Sequence, residues 1–298
     1  MEKSKKITSK NENISLPILS LFELYSKKYL KEFKLDELIF SVTDKCQFRC
    51  KSCFYADTMD NSNLKAVKGL SLEEIKKISS SMGNISKLLI TGGEPFLRDD
   101  ISEICEIFYK QNKIRHIHMP TNAFQTKKNY EGTEAILQKC PKLNLTIGIS
   151  IDGLEETHEK IRGIKTSFKK CVETAHNLSE LRKKYNNLRL NVITVVNHIN
   201  IDEIIPLAKF IRKELPVDSH GPVPLRGDPY DRDLRPPTAE QWEKLSKELM
   251  LFQEKWNSDR KENRLKKFIR TNRERYMYKT YTTVLNGGNL PSQCQAGE

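Results

Sequence analysis

Short apolar, β-branched runs alternate along this chain with stretches whose apolar residues recur every three or four positions, and the alternation repeats six times. The runs predict strands at residues 38–43, 87–91, 114–119, 143–151, 188–196 and roughly 217–225. The periodic stretches predict helices at about 71–82, 99–112, 129–140, 166–186, 201–215 and 238–257. The first of these helices opens on a capping box, Ser71 with Glu74, and a hydrophobic staple of Leu70 on Ile75. Successive βα units imply a parallel sheet with helices outside, and right-handed crossovers curl such a sheet toward a barrel. Six units, where a closed barrel has eight, place the chain in the α/β class as a partial (β/α)6 TIM-type barrel with an N-terminal helical extension and a short C-terminal tail.

The expected division is an extension over 1–36, the barrel over 37–230 and a C-terminal helical segment over 231–298. In the extension, Ile18, Phe22, Tyr25, Tyr29 and Phe33 stand at helical spacing, which reads as an amphipathic helix covering the barrel rather than a membrane anchor. No Pro-, Gly- or Ser-rich linker, repeat or low-complexity tract interrupts the βα units.

Parallel barrels gather their chemistry where the strands end, because the βα loops converge there. Cys46, Cys50 and Cys53 follow the first predicted strand at C-x3-C-x2-C spacing, and Thr91-Gly-Gly-Glu-Pro95 closes the second. Asn122 follows the third, Ser150 and Asp152 end the fourth, and Asn197 follows the fifth. Three thiolates so close together can each hold one iron of a cubic 4Fe-4S cluster and leave the fourth iron open. The competing reading is structural zinc. Closed zinc sites take four ligands, and neither Cys105 nor His116, the next candidates along the chain, has ligand spacing. The two glycines allow close backbone approach and Pro95 fixes the turn that follows, although a Gly-Gly turn before Pro is also an ordinary strand exit.

Taken together, Cys46-Gln-Phe-Arg-Cys50-Lys-Ser-Cys53, the segment from Thr91 to Arg98, Pro120 to Ala123 and the stretch from Ser150 to Gly163 resemble the radical S-adenosylmethionine (radical SAM) enzymes. Ser52 stands where the family pattern has an aromatic residue, and Phe54 follows the last cysteine. The resemblance covers residues 37–230 and implies reductive cleavage of S-adenosylmethionine at a 4Fe-4S cluster held by Cys46, Cys50 and Cys53. The resulting 5′-deoxyadenosyl radical would abstract a hydrogen atom from a substrate. It also implies that Gly92, Gly93 and Glu94 meet the methionine amine. Arg162 would pair with the methionine carboxylate, Ser150 and Asp152 would bond the ribose hydroxyls, and Asn122 would orient the ribose. The implied partners are a one-electron donor of flavodoxin or ferredoxin type and a peptide or small metabolite. The Ser150–Gly163 segment most resembles the SPASM or twitch branch, and the stretch from Gly287 to Glu298, with Cys294, resembles the start of that branch's auxiliary-cluster domain.

Composition changes this picture little. The chain has 298 residues, enough for a substantial core, and no apolar stretch approaches the roughly 18 residues that cross a bilayer. With no signal-peptide pattern and an odd number of cysteines, the expected compartment is cytoplasmic. The net charge of +12 and the basic run Lys255 to Lys279, with Phe268, Tyr276 and Tyr278 interleaved, raise an RNA-modifying alternative. The favoured reading is a solvated helix face, with no membrane and no nucleic acid among the partners. A metal-stabilised, catalytically inactive binding partner is the non-enzyme alternative. Cys105 and Cys171 fall on apolar helix stripes and read as core, as does Cys140 at a helix end. His158 reads as a surface residue, and His116 and His118 alternate along the third strand and read as core or surface histidines in preference to one facing the barrel interior; His220, Arg226 and Asp228 read equally as a mouth loop able to meet a polar substrate and as a Pro/Gly crossover with a surface ion pair.

Overall fold

A computed structural model describes residues 36–60, 69–258 and 264–289. Six strands form one parallel sheet in sequential order: β1 (Glu37–Ser41), β2 (Lys87–Thr91), β3 (His116–Thr121), β4 (Asn144–Ser150), β5 (Leu188–Val196) and β6 (Ser219–Pro224). β1 and β6 are not paired, so the sheet curls without closing. Helices α1 (Ala56–Asp60) and α2 (Leu72–Ser81) both follow β1, and α3 (Ile101–Gln111) and α4 (Thr126–Lys139) follow β2 and β3. After β4 come α5 (Glu155–Arg162) and α6 (Ser167–Glu180), after β5 comes α7 (Ile204–Glu214), and α8 (Ala239–Ser258) and α9 (Arg264–Leu285) complete the described chain.

Alternation along each strand divides the layers. On β3, Ile117, Met119 and Thr121 are buried toward the helices while His118 and Pro120 face the other way, and β5 repeats the pattern with Leu190 and Val192 against Asn191 and Ile193. The outward residues of β1 to β4 join Ile75, Ile104, Phe108 and Ile136 in the largest apolar cluster. Val192, Cys171, Leu207 and Ile211 build a second under β5. The capping box of α2 forms as the sequence requires, with the Ser71 hydroxyl accepting from Glu74 N–H and the Glu74 carboxylate accepting from Ser71 N–H.

Several boundaries move for identifiable reasons. β3 runs through Pro120 to Thr121, two residues past its predicted end; a proline without an N–H is tolerated at this last turn of the ladder. The chain enters β3 only at His116, because Lys113 takes a positive φ of +56° and Ile114 is buried before pairing starts. α5 is a separate helix that the sequence reading took for a motif. Its signals are nonetheless present: Glu155 and Glu156 in the first turn, Lys160 and Arg162 in the last, and Gly163 as a left-handed C-cap. The basic run resolves into α8 and α9, packed by Tyr278 and Tyr281 edge-on to the fully buried Trp242. Tyr278 therefore belongs to the core, while Phe268 and Tyr276 remain exposed. The N-terminal amphipathic stripe and Cys294 lie outside the described residues. Among the described residues no helix is long and apolar enough to cross a membrane.

Candidate active site

The three cysteines sit on the loop that leaves β1, and backbone bonds stitch this loop to the exit of β2. Val42 N–H donates to Thr91 O, Gly93 N–H to Thr43 O at 2.7 Å, and Glu94 N–H to Lys45 O at 2.8 Å. This contact explains both glycines. A Cβ on Gly92, whose φ is +141°, would stand 2.3 Å from Thr43 O, and one on Gly93 would stand 2.2 Å from Lys45 O. What a side chain on either glycine would strike is the chain leading into Cys46. Both glycines still line the cavity above the strand ends, together with the cysteines.

Cys46, Cys50 and Cys53, Glu94, Asn122, Ser150 and Arg162 all line that cavity, so seven of the predicted positions, with Gly92 and Gly93, converge from the ends of four strands and the segments that follow them. Burial pushes the Cys50 thiol up to about 11 and raises Cys46 also, so that in the metal-free chain both hold their protons. Nitrogen donors approach the same sulfurs: Phe48 N–H lies 3.4 Å from Cys46 Sγ, Asn122 Nδ2 3.8 Å from it, and Arg162 Nη1 3.8 Å from Cys50 Sγ. Each would stabilise the thiolate that a metal requires. A cluster takes one thiolate on each of three separate irons, whereas a closed zinc site takes four ligands, so a set of three thiols on one loop fits a cluster.

Glu94 is almost completely buried and ties β2 to β3. It accepts from Phe96 N–H and the Thr121 hydroxyl on Oε1 and from Asn122 N–H on Oε2, at 3.2, 2.7 and 2.7 Å. Burial pushes its carboxyl up to about 7 despite these bonds. Thr121, which the sequence reading did not single out, is the side chain that joins Glu94 to the Asn122 turn. Asn122 itself is held by accepting from Phe124 N–H at 3.0 Å and Gln47 Nε2 at 3.3 Å.

Asp152 lies deeper than the other predicted positions: its side chain is fully buried and does not line the cavity. Its Oδ2 lies 2.7 Å from Arg162 Nε, and its Oδ1 accepts from Val195 N–H at 2.8 Å. Burial works against the Arg162 cation, but Asp152 outweighs it and the guanidinium stays charged. Asp152 thus anchors Arg162, whose other end reaches the cavity. His158, expected on the surface, is fully buried on α5; its Nδ1 accepts from Asp152 N–H at 3.1 Å, and burial pulls its pKa down to about 3. Its position between Asp152 and Arg162 was the available signal. Behind both, Cys171 is buried 3.9 Å from His158 Nε2, in the core as expected.

His220 is buried on β6, 2.8 Å from the Thr194 hydroxyl, while Arg226 and Asp228 of the expected mouth loop are exposed. Asn197 and Asn200 build a buried turn in which Asn197 N–H donates to Asn200 Oδ1 and Asn200 Nδ2 to Asp152 O. On the opposite rim Phe54 and Tyr55, with ring centroids 4.4 Å apart, present exposed aromatic surface to the cavity next to the position of Ser52.

Residues 40–211, more than half of the chain, match the family model described as the radical SAM superfamily. The Fe-coproporphyrin III synthase of Methanosarcina barkeri is 24% identical over 192 residues, covering 62% of this chain and 44% of the synthase. A GTP 3′,8-cyclase of Helicobacter pylori is 30% identical over 181 residues, covering 60% of this chain and 52% of the cyclase. Among solved structures, Streptococcus suis SuiB bound to S-adenosylmethionine has a TM-score of 0.57 at 16% identity, over 77% of this chain and 50% of SuiB. The same protein bound to its precursor peptide SuiA gives 0.56 at 17% identity, over 84% and 55%. This likeness shows a shared fold. The chain spans about half the length of the curated relatives it matches.

Proposed function

The chain belongs to the radical SAM superfamily, and from that premise we propose that it is an enzyme holding a 4Fe-4S cluster on Cys46, Cys50 and Cys53, with S-adenosylmethionine bound in the adjoining cavity. Membership implies S-adenosylmethionine and an iron–sulfur cluster; when bound, they supply a one-electron cleavage that yields a 5′-deoxyadenosyl radical. The chain's own residues position and shield that chemistry. The observation that carries the reading is that the three thiols share one cavity wall with Gly92, Gly93, Glu94, Asn122, Ser150 and Arg162.

Within it, Arg162 offers a fixed cation to the methionine carboxylate, oriented from behind by Asp152. The Gly92–Gly93 backbone and Glu94 border the place of the amine, where a positive charge would favour the ionised form of Glu94. Ser150 and Asn122 are the polar groups available to the ribose. Residues 37–230 are the catalytic barrel in this reading, with 1–36 and 231–298 as its extensions, and the compartment is cytoplasmic. A flavodoxin- or ferredoxin-type protein supplies the electron. The substrate that would lose a hydrogen atom to this chemistry is a peptide or a small biosynthetic metabolite; the SuiA peptide of SuiB supports the first class, and the GTP 3′,8-cyclase relative supports the second.

Anaerobic reconstitution with iron and sulfide tests the assignment. About four irons per chain are expected, and the electron paramagnetic resonance spectrum of the reduced cluster should change when S-adenosylmethionine is added. Stoichiometric zinc without iron, or iron uptake unaffected by replacing all three cysteines with Ala, contradicts it.

A further inference from the structure

The cysteine loop is gripped from both sides. On one side Lys51 N–H donates to Ile161 O at the end of α5, at 2.8 Å. On the other stands the connector from β6 to α8, residues 225–238, which comes from the far edge of the open sheet. Its Tyr230 N–H donates to Cys53 O at 2.9 Å and its Asp231 N–H to Lys51 O at 3.0 Å. Asp231 Oδ2 also receives the Lys51 ammonium at 2.7 Å, and Arg232 pairs with Asp57.

The connector is itself anchored. Leu225 N–H bonds to Val196 O at the end of β5, His198 N–H donates to Arg235 O while Arg235 N–H donates to His198 Nδ1, and Leu225 and Leu234 are buried. Asp231 Oδ1 caps Asp233 N–H within the connector, so one carboxylate both shapes the connector's turn and holds the loop. β1 and β6 share no ladder, and these contacts join the two sheet edges on the side where the cysteines sit.

We propose that residues 225–238 act as a latch across the open side of the barrel, with Asp231 a positioning residue for Cys50 and Cys53 through Lys51. The latch rests on the reading that these cysteines hold a cluster: it keeps two of the three ligand loop positions from swinging outward, and loosening it exposes the iron. Part of its hold is ionic and half-exposed, so salt weakens it.

The test uses the full iron-loaded chain and follows the transfer of iron to a ferrous chelator such as bathophenanthroline. Asp231→Asn keeps the turn-capping oxygen and removes the charge, so iron loss should quicken about two- to fivefold, and raising the salt should bring wild type toward the variant. Lys51→Asp and Asp231→Lys should each quicken it, and the double exchange should return the rate to within about twofold of wild type. Equal rates in wild type, Asp231→Asn and Asp231→Lys overturn the latch, as does a double exchange that behaves as the sum of its parts. A wild-type chain that takes up no iron sinks the cluster assignment instead. In that event hydrogen exchange of residues 50–57 in the metal-free protein decides the latch: faster exchange in Asp231→Asn upholds it, and unchanged exchange overturns it.

Discussion

Removing the charge of Asp152 separates two roles for this residue by their energetics. A ribose ligand at the cavity wall would cost cofactor affinity and little stability, whereas an anchor buried behind Arg162 costs stability first. The carboxylate is fully buried and the Arg162 side chain is 12% exposed, so both charges are largely withdrawn from water. Removing one partner of a buried pair costs about 3–5 kcal/mol, because the other is left desolvated and uncompensated. In Asp152→Asn the Val195 N–H can still find an acceptor, so only the charge is lost and about 3 kcal/mol is expected. Asp152→Ala also orphans that N–H and should cost about 1–3 kcal/mol more. Urea unfolding of the metal-free protein measures both. Removing the stranded cation as well, in Asp152→Asn with Arg162→Met, should recover much of the loss, since the penalty belongs to the unpaired charge. The reasoning is refuted if Asp152→Asn unfolds within about 1 kcal/mol of wild type, or if adding Arg162→Met makes matters worse by the full cost of a second independent lesion.

Burial raises Glu94 from its ordinary 4.5 to about 7, so its neutral form is favoured by folding. The stability this confers is complete below about pH 4.5 and is lost as pH rises through about 7, by about 3 kcal/mol at most, and Glu94→Gln should flatten that fall when urea midpoints are compared at pH 5 and pH 8. Gly93→Ala drives a methyl group into Lys45 O; an overpacking cost of about 1–3 kcal/mol is expected, accompanied by lower iron uptake measured after reconstitution. Arg162→Ala should weaken S-adenosylmethionine binding by calorimetric titration while reconstituted iron stays near the wild-type content, and an unchanged affinity would remove Arg162 from the carboxylate site.

The strands were legible because each run is short, β-branched and bounded by turn residues, and the burial alternation along β3 and β5 follows that pattern. The motif residues were legible as a group because strand ends of a parallel sheet bring their loops together, which spacing along the chain alone predicts. What escaped was depth. Asp152 and Ser150 stand two positions apart at the end of β4, yet Ser150 reaches the cavity and Asp152 turns behind it, where Arg162 and the Val195 N–H receive it. His158 likewise reads as a polar helix position until α6 and Phe168 are packed against it. The glycines 92 and 93 were recognised as sites of close approach, but only the register of the β1 and β2 exits tells which atoms approach them. The latch through Asp231 joins residues 180 positions apart, and no local signal marks it.

The central claim, that this chain cleaves S-adenosylmethionine at a cluster on Cys46, Cys50 and Cys53, meets its most direct test in product analysis. Iron-loaded protein is mixed anaerobically with S-adenosylmethionine and a strong one-electron reductant, and 5′-deoxyadenosine and methionine are quantified by chromatography. The account predicts slow formation of both in equal amounts by the wild type without any added substrate, and none by Cys53→Ser, whose hard oxygen is a poor ligand for this iron. Protein that carries its cluster and binds S-adenosylmethionine yet releases no 5′-deoxyadenosine under any reductant would contradict it.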